Sequence, residues 1–363
     1  MDILIFLLIL LVLVLVHEFG HFFSAKKFGI RVDEFGFGFP PKLFGFKRGE
    51  THYSFNLLPL GGFVKIYGEN PNDENTFGLD AGRSLVNKPR YKQAMVLFAG
   101  VLANFLLAWL LFSIGFMSGF PTSVGSEIKG YALSDVNLVV VSVESKSPAE
   151  MGGLKSGDKI ISIKSGKDFT SYVSPDTIKS FVLNSKGKEI EIGYMRGKEE
   201  EKFIKLTPDI TSGEPIIGIS MDQIGVAKLP FFTALKEGMR LNLYMVKGTV
   251  LGLYTLATEG IHGKNSLTSI TGPVGMVGIV GDAYELGFVY LMSFAALISV
   301  NLAVINFLPF PALDGGRLLF LLIEKIKGSR ISPTVANATN MIGFGVLILL
   351  MLVVTYHDVV KLF

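Results

Sequence analysis

Four runs of apolar residues are each long enough to cross a bilayer, which takes about 20 residues at about 1.5 Å rise per residue. Ile3–Val16 is unbroken aliphatic and Phe, and it continues through His17-Glu18-Phe19-Gly20-His21 to Ala25. Ala94–Gly119, Leu286–Leu313 and Ile331–Tyr356 contain no charged residue. Between the second and third runs the pattern changes to period two. Leu138–Val143, Glu189–Ile192, Phe203–Leu206 and Ile216–Met221 read as short strands separated by Gly, Pro and Asp turns. From Phe231 onward, Lys236, Arg240 and Lys247 fall within about 40° of one another at about 100° per residue, with the leucines elsewhere. One charged edge on a long apolar helix predicts a segment lying in the membrane interface, with a fifth span as the competing reading. Gly272-Pro273-Val274-Gly275 reads as a loop just before the third span. Phe35–Phe39 and His52–Leu58 alternate with aromatics on one face around Pro40-Pro41. They predict a β-hairpin that dips into the membrane, its backbone sheltered by protein because unpaired N–H and C=O groups are costly in lipid.

Composition agrees with a membrane protein. Hydrophobic residues make up 49% and charged residues 18%, against about 25% charged in soluble domains. The net charge is only +3, with no block of basic residues, so the footprint of a nucleic-acid binder is missing. There is no cysteine, which excludes disulfide frameworks, thiol catalysis and cysteine metal sites. Any metal must sit on His, Asp or Glu. The first run has no basic segment before it and a His-Glu-x-x-His sequence where a cleavage site would lie, so it reads as a retained span and not a signal peptide.

Orientation follows from the flanking cations. Residues 25–93 hold eleven Lys and Arg, and none precedes the first run, so the N-terminus is expected outside and 25–93 inside. The second span exits, 120–285 lie outside, and the third re-enters toward Arg317, Lys325, Lys327 and Arg330. The expected organisation is a polytopic α-helical membrane protein with four transmembrane helices, an inserted extracytoplasmic β-domain and a cytoplasmic-side hairpin. Its parts are a first span (1–25), the hairpin loop (26–93), a second span (94–119), a linker (120–134), the β-domain (135–210), an interfacial region (211–285), a third span with a broken end (286–316), a short inner segment (317–330) and a fourth span with its tail (331–363). His17–His21 and Asp314 then share one depth, the former about 24 Å of helix from the outer end.

His17, Glu18 and His21 form H-E-x-x-H. On a helix, residues i and i+4 stand one above the other, so two imidazoles converge on one ion and Glu18 reaches a water beside it. Ionisable groups inside an apolar span are costly and normally mark function. Zinc needs a third protein ligand and an open fourth position. The best partner is far along the chain, in Asn306-Phe307-Leu308-Pro309-Phe310-Pro311-Ala312-Leu313-Asp314-Gly315-Gly316. Pro309 and Pro311 remove two backbone donors and end a helix, so the third span opens where Asp314 points inward. The alternative is that Asp314 caps the helix that follows. His52, His262 and His357 lack a nearby acid at ligand spacing and read as surface residues.

Over nearly its full length the chain resembles the site-2 protease family of intramembrane zinc metalloproteases, and most closely the bacterial regulator-of-sigma-E protease group. The matching pieces are His17–His21, Leu58-Pro59-Leu60-Gly61-Gly62-Phe63-Val64-Lys65, Ala99–Phe105, Gly272–Gly275 and Asn306–Gly316. Ser147–Ile161 resembles the bacterial PDZ signature, which implies capture of a peptide C-terminus or extended segment by strand addition. The resemblance implies a metalloendopeptidase with zinc on His17, His21 and Asp314. Glu18 would be the general base and acid, and Asn306, Pro309 and Pro311 would form the substrate-binding segment. It further implies transmembrane substrates, such as an anti-sigma factor or a signal-peptide remnant, in a stress response at the bacterial inner membrane. Both termini and the PDZ domain would be extracytoplasmic, with the active site near the cytoplasmic face. Two departures stand out: relatives of this group commonly carry two PDZ domains where 120–230 has room for one, and Val101 stands where they commonly have Pro. Two other classes compete, a membrane-anchored PDZ adaptor with a vestigial metal site and a zinc or proton-coupled transporter. A transporter predicts acids or His in the other spans, and the second and fourth contain none.

Overall fold

The computed structural model describes residues 1–70, 72–126, 128, 130–185, 187–197, 200–211, 213–261 and 271–361. Along the chain, α1 (Asp2–Lys27) leads into a long hairpin, β1 (Val32–Arg48) and β2 (Thr51–Ile66), then α2 (Asp73–Phe77) and α3 (Arg90–Ser118). Next come β3 (Phe120–Ser123), β4 (Ser134–Val143), α4 (Pro148–Met151), β5 (Lys159–Ser165), β6 (Asp168–Thr170), α5 (Pro175–Asn184), β7 (Ile190–Met195) and β8 (Lys202–Leu206). The rest is β9 (Asp209–Thr211), β10 (Glu214–Ile216), β11 (Ile219–Ala227), α6 (Phe231–Ile261), α7 (Pro273–Leu286), α8 (Phe288–Phe307), α9 (Asp314–Lys327) and α10 (Pro333–Lys361). Two compact units result: Met1–Ser113 with Leu235–Gly281 and Ser293–Phe363, and Ile114–Ala234 with Asp282–Met292.

Among the described residues, α1, α3, α8 and α10 are the four helices long and apolar enough to cross a membrane, and most of each belongs to the first unit. The buried positions of α1 are Leu13, His17, His21 and Ala25, one stripe at i, i+4 spacing. On α3 the matching stripe is Val96, Gly100, Asn104 and Ala108. The small residues of the second stripe leave room for the imidazoles of the first.

The hairpin is more elaborate than two strands. Residues 32–37 pair with 62–66, 34–37 also pair with 52–55, and 42–48 pair with 51–56. This happens because β1 folds over at Pro40-Pro41, where neither nitrogen carries a hydrogen for the ladder. The four segments therefore lie side by side in the order 58–66, 32–39, 51–56, 42–48. Phe55 lies with its ring stacked 4.5 Å from both Phe37 and Phe44, and Tyr53 stacks on Phe46 at 5.4 Å. Leu43, Phe44, Phe46 and Leu57 remain more than half exposed. At the other end, Ile30, Val32 and Ile66 join Ala25, Leu85 and Val96 in one buried cluster, which fixes β2 against α1. The turn is clamped by Glu50, 2.5 Å from Lys26 and 2.6 Å from Arg83. Burial raises the Glu50 carboxyl's pKa, but these two cations outweigh it and hold the group below the ordinary glutamate value.

α6 carries Lys236, Arg240 and Lys247 on an exposed edge and is not among the four span-like helices. It is nevertheless tied side by side to two of them. Trp109 Nε1 donates to the Leu235 carbonyl at 2.9 Å, Asn242 Nδ2 to the Phe105 carbonyl at 3.1 Å, and Thr249 Oγ1 to Asn301 Oδ1 at 2.7 Å. Gly272–Gly275, expected as a loop, instead opens α7. The reason is a distant cap: buried Asp358 of α10 accepts from the amides of Gly272 at 3.0 Å and Gly275 at 2.8 Å. A helix N-terminus whose cap lies 86 residues away has no local signature. His262 lies outside the described residues, and His52 and His357 are half-buried.

The second unit holds a seven-stranded sheet in the order β3-β11-β4-β5-β7-β8, with β6 on β5. Its core is aliphatic, including Leu138, Val140, Ile160, Ile163, Ile178 and Ile192. Asp158, fully buried, is satisfied by Arg196 at 2.7 Å and by the Lys155 amide at 2.8 Å. The sheet takes in β3 and β11, both outside the expected 135–210, because β11 pairs with β4 over Ile219–Val226 and with β3 over Ile224–Ala227. A cavity of about 650 Å³ lies between α5 and residues 214–221.

Replacing Asp358 by Ala leaves two amides without their acceptor at the start of α7. The expected outcome is a loss of about 1–3 kcal/mol in thermal unfolding of the detergent-solubilised protein. An unchanged melting temperature would show that Asp358 is not the cap.

Candidate functional site

The site is assembled from α1, α3 and the break between α8 and α9. α8 stops at Phe307, as the two prolines predict, and 308–313 cross as irregular chain before α9 starts at Asp314. The segment is pinned from α10, where Asn340 Oδ1 accepts the Ala312 amide at 3.1 Å. Gly315 and Gly316 are required here: a Cβ on either would sit 2.2 Å from the carbonyl oxygen of Leu308 or Phe310. The helix cap is Leu313, with no side-chain hydrogen bond, and Asp314 is the first helical residue. Its carboxylate is not spent on capping and turns toward α1.

There it meets the two histidines. Asp314 Oδ2 lies 3.0 Å from His17 Nε2 and 3.2 Å from His21 Nε2, and the two Nε2 atoms are 3.1 Å apart. This is the only group of three or more His, Asp or Glu among the described residues placed to hold a metal ion. A tetrahedral zinc with ligands at about 2.0–2.1 Å has ligand-to-ligand edges of about 3.3 Å, close to this triangle. The electrostatics also favour a cation. His21 Nδ1 pairs with the Val96 carbonyl at 2.9 Å, so its proton lies there and Nε2 presents a lone pair. Asp314 Oδ2 is buried, with the two Nε2 atoms as its polar neighbours. Buried lone pairs facing one another at this range repel unless a positive charge lies among them.

Gly100 makes the room. A Cβ there would fall 2.3 Å from His21 Nε2 and 2.8 Å from His17 Cε1. Glu18, next to His17, shares one cavity wall with Val64 of β2. Two cavities flank the cluster, and His17, Glu18, Ala312 and Asp314 line both. The first, about 230 Å³, adds Asn104 and Asn306. The second, about 240 Å³, adds His21, Phe63, Val64 and Arg317. Arg317 is ion-paired with Glu69. Asn306 stands in the last turn of α8 with its amide unpaired among the described residues. Pro309 and Pro311 line neither cavity.

The expected residues His17, Glu18, His21, Asn306 and Asp314 are thus brought together, and the two prolines shape the chain without reaching the cavities. Sequence reasoning gave no role to Gly100, Asn104, Val64 or Asn340. Gly100 and Asn104 could have been found as small and polar positions at i, i+4 in an otherwise apolar span.

The chain is similar to several known proteins along most of its length. A relative from Clostridium perfringens is 36% identical over 355 residues, covering 96% of this chain and 95% of that protein. The zinc metalloprotease RasP of Shouchella clausii is 32% identical, covering 99% of this chain and 98% of its own length. The RasP of Geobacillus kaustophilus is 30% identical, covering 99% and 97%. The family model for peptidase family M50 matches residues 5–350, and the chain belongs to that family of peptidases.

Proposed function

We propose that the chain is an intramembrane zinc metalloprotease that hydrolyses peptide bonds within membrane-spanning segments. The triangle of His17, His21 and Asp314 inside a bundle of span-like helices carries this reading. Zinc, the cofactor in the names of the RasP relatives, fits a donor set of two imidazoles and one carboxylate with an open fourth position. When bound, it supplies a Lewis acid that polarises a carbonyl and lowers the pKa of water to about 7. Glu18 would take the attacking water's proton and hand it to the leaving amine. The free amide of Asn306 faces the same cavity and can hold a substrate carbonyl.

A helical substrate hides its carbonyls in i to i−4 hydrogen bonds and must unwind before attack. Strand 58–66 lies at the border of the hairpin, and among the described residues its outer edge pairs with no strand. It offers the unwound segment a ladder by strand addition. The exposed aromatic tip of the hairpin fits burial in lipid. The groove between α5 and residues 214–221, beside Ile217-Gly218-Ile219, is where a PDZ domain would take a peptide end. Cations flanking the spans favour an active site near the cytoplasmic face of the inner membrane, with the second unit and both termini outside. Substrates of this class include an anti-sigma factor or a signal-peptide remnant.

Glu18→Gln is expected to keep bound zinc and to lower single-turnover cleavage of a membrane-spanning reporter by about 10²–10⁴-fold. Asp314→Ala should lose both metal and cleavage. Full turnover by Glu18→Gln would remove the proposed base. Gly100→Val pushes a methyl into both imidazoles, so metal affinity should fall at least about tenfold, as read by chelator competition. Equal affinity would mean that the rings are held elsewhere. Proline placed along 58–66, where the outer edge loses a donor but the ladder to 32–39 stays intact, should slow cleavage with zinc retained. Cleavage at the wild-type rate in such variants would rule out strand addition.

A further inference from the structure

The zinc reading, on which this inference rests, leaves one buried side chain without a role. Asn104 on α3 has no exposed surface, and its own carbonyl accepts Ser299 Oγ at 2.8 Å, so a third helix fixes its position. Its Nδ2 lies 3.5 Å from His17 Nδ1, while its Oδ1 is buried with no partner. The two ends of an amide have nearly the same shape, and only the surrounding network tells them apart. With nitrogen toward the ring, Asn104 donates to Nδ1 and the imidazole proton is forced onto Nε2. That is the atom 3.0 Å from Asp314 Oδ2 and 3.1 Å from His21 Nε2, and a protonated nitrogen has no lone pair for a cation.

We propose that Asn104 is a positioning residue that sets the tautomer of His17. Its Oδ1 accepts Nδ1–H, and Nε2 is left as a free donor facing His21 and Asp314. The neighbouring ring is handled in the same way, since His21 Nδ1 donates to the Val96 carbonyl at 2.9 Å. α3 thus orients both imidazoles, one through a backbone carbonyl and the other, two turns on, through a side-chain carbonyl. Metal-binding histidines usually donate their second nitrogen's hydrogen to such an acceptor, and losing it typically costs 10–100-fold in metal affinity.

The test compares wild type, Asn104→Asp and Asn104→Leu as full-length protein in detergent. Zinc affinity is read by chelator competition and ligand geometry by the visible spectrum of the cobalt-substituted protein. Leucine keeps the volume and removes the acceptor, so zinc affinity is expected to fall about 10–100-fold with an altered cobalt spectrum. Aspartate keeps an acceptor and should hold zinc within about threefold of wild type. Equal loss in both variants, or no loss in Asn104→Leu, overturns the assignment. The ¹⁵N spectrum of the zinc-loaded wild type gives a second readout that needs no variant. A protonated Nδ1 at His17 is expected, and an unprotonated one overturns the assignment even where Asn104→Leu does not fold. A wild type that holds no zinc overturns the underlying reading as well, whereas zinc binding insensitive to position 104 overturns this assignment alone.

Discussion

The arrangement of the helices depends on one constraint: two imidazoles and a carboxylate are packed where water cannot satisfy them. Polar groups left unpaired inside a protein cost about 1–3 kcal/mol each, and more when charged. The surrounding helices therefore have to supply partners for every atom not aimed at the shared centre. α3 does most of this, with the Val96 carbonyl on one ring and Asn104 beside the other. It can approach closely only because position 100 has no side chain. The buried stripes of α1 and α3 are thus also the scaffold that aims the site.

The carboxylate of the cluster comes at a different cost. Asp314 reaches the histidines because α8 stops and six residues run outside the α-helical i to i−4 ladder, which is tolerable in a membrane helix only where protein shelters the backbone. α10 contributes the shelter through Asn340, and the glycine pair lets α9 begin tightly against the carbonyls of the break. Placement of the carboxylate and the helix break are therefore one feature. A helix running straight through residue 314 would leave the histidines without their carboxylate.

Much of this was legible in the chain. His17 and His21 at i, i+4 fix their own relation, because helical geometry alone puts them on one face. Pro309 and Pro311 announce the break, and period-two runs mark β4, β7 and β8. The relations that escaped are those between distant segments. Asp358 caps α7 from 83 residues beyond Gly275, and neither sequence carries a trace of the other. β3 and β11 join the sheet only through pairing across about a hundred residues of chain, so the β-domain looked shorter than it is. The hairpin's doubling back depends on which segments of an aromatic-rich stretch pair, and alternation alone does not choose among them. Asn104 was visible as a polar residue in a span, but its partner was not.

On the proposed reading, a helical substrate has to open before attack, because its carbonyls are held in i to i−4 hydrogen bonds. Glu18 lines both cavities beside the histidines, so an opened segment in either one would pass it. Unwinding exposes donors and acceptors that lipid cannot pair, so an extended segment is stable here only if protein replaces the lost bonds. Asn306 would offer such groups on one side of the cluster and strand 58–66 on the other.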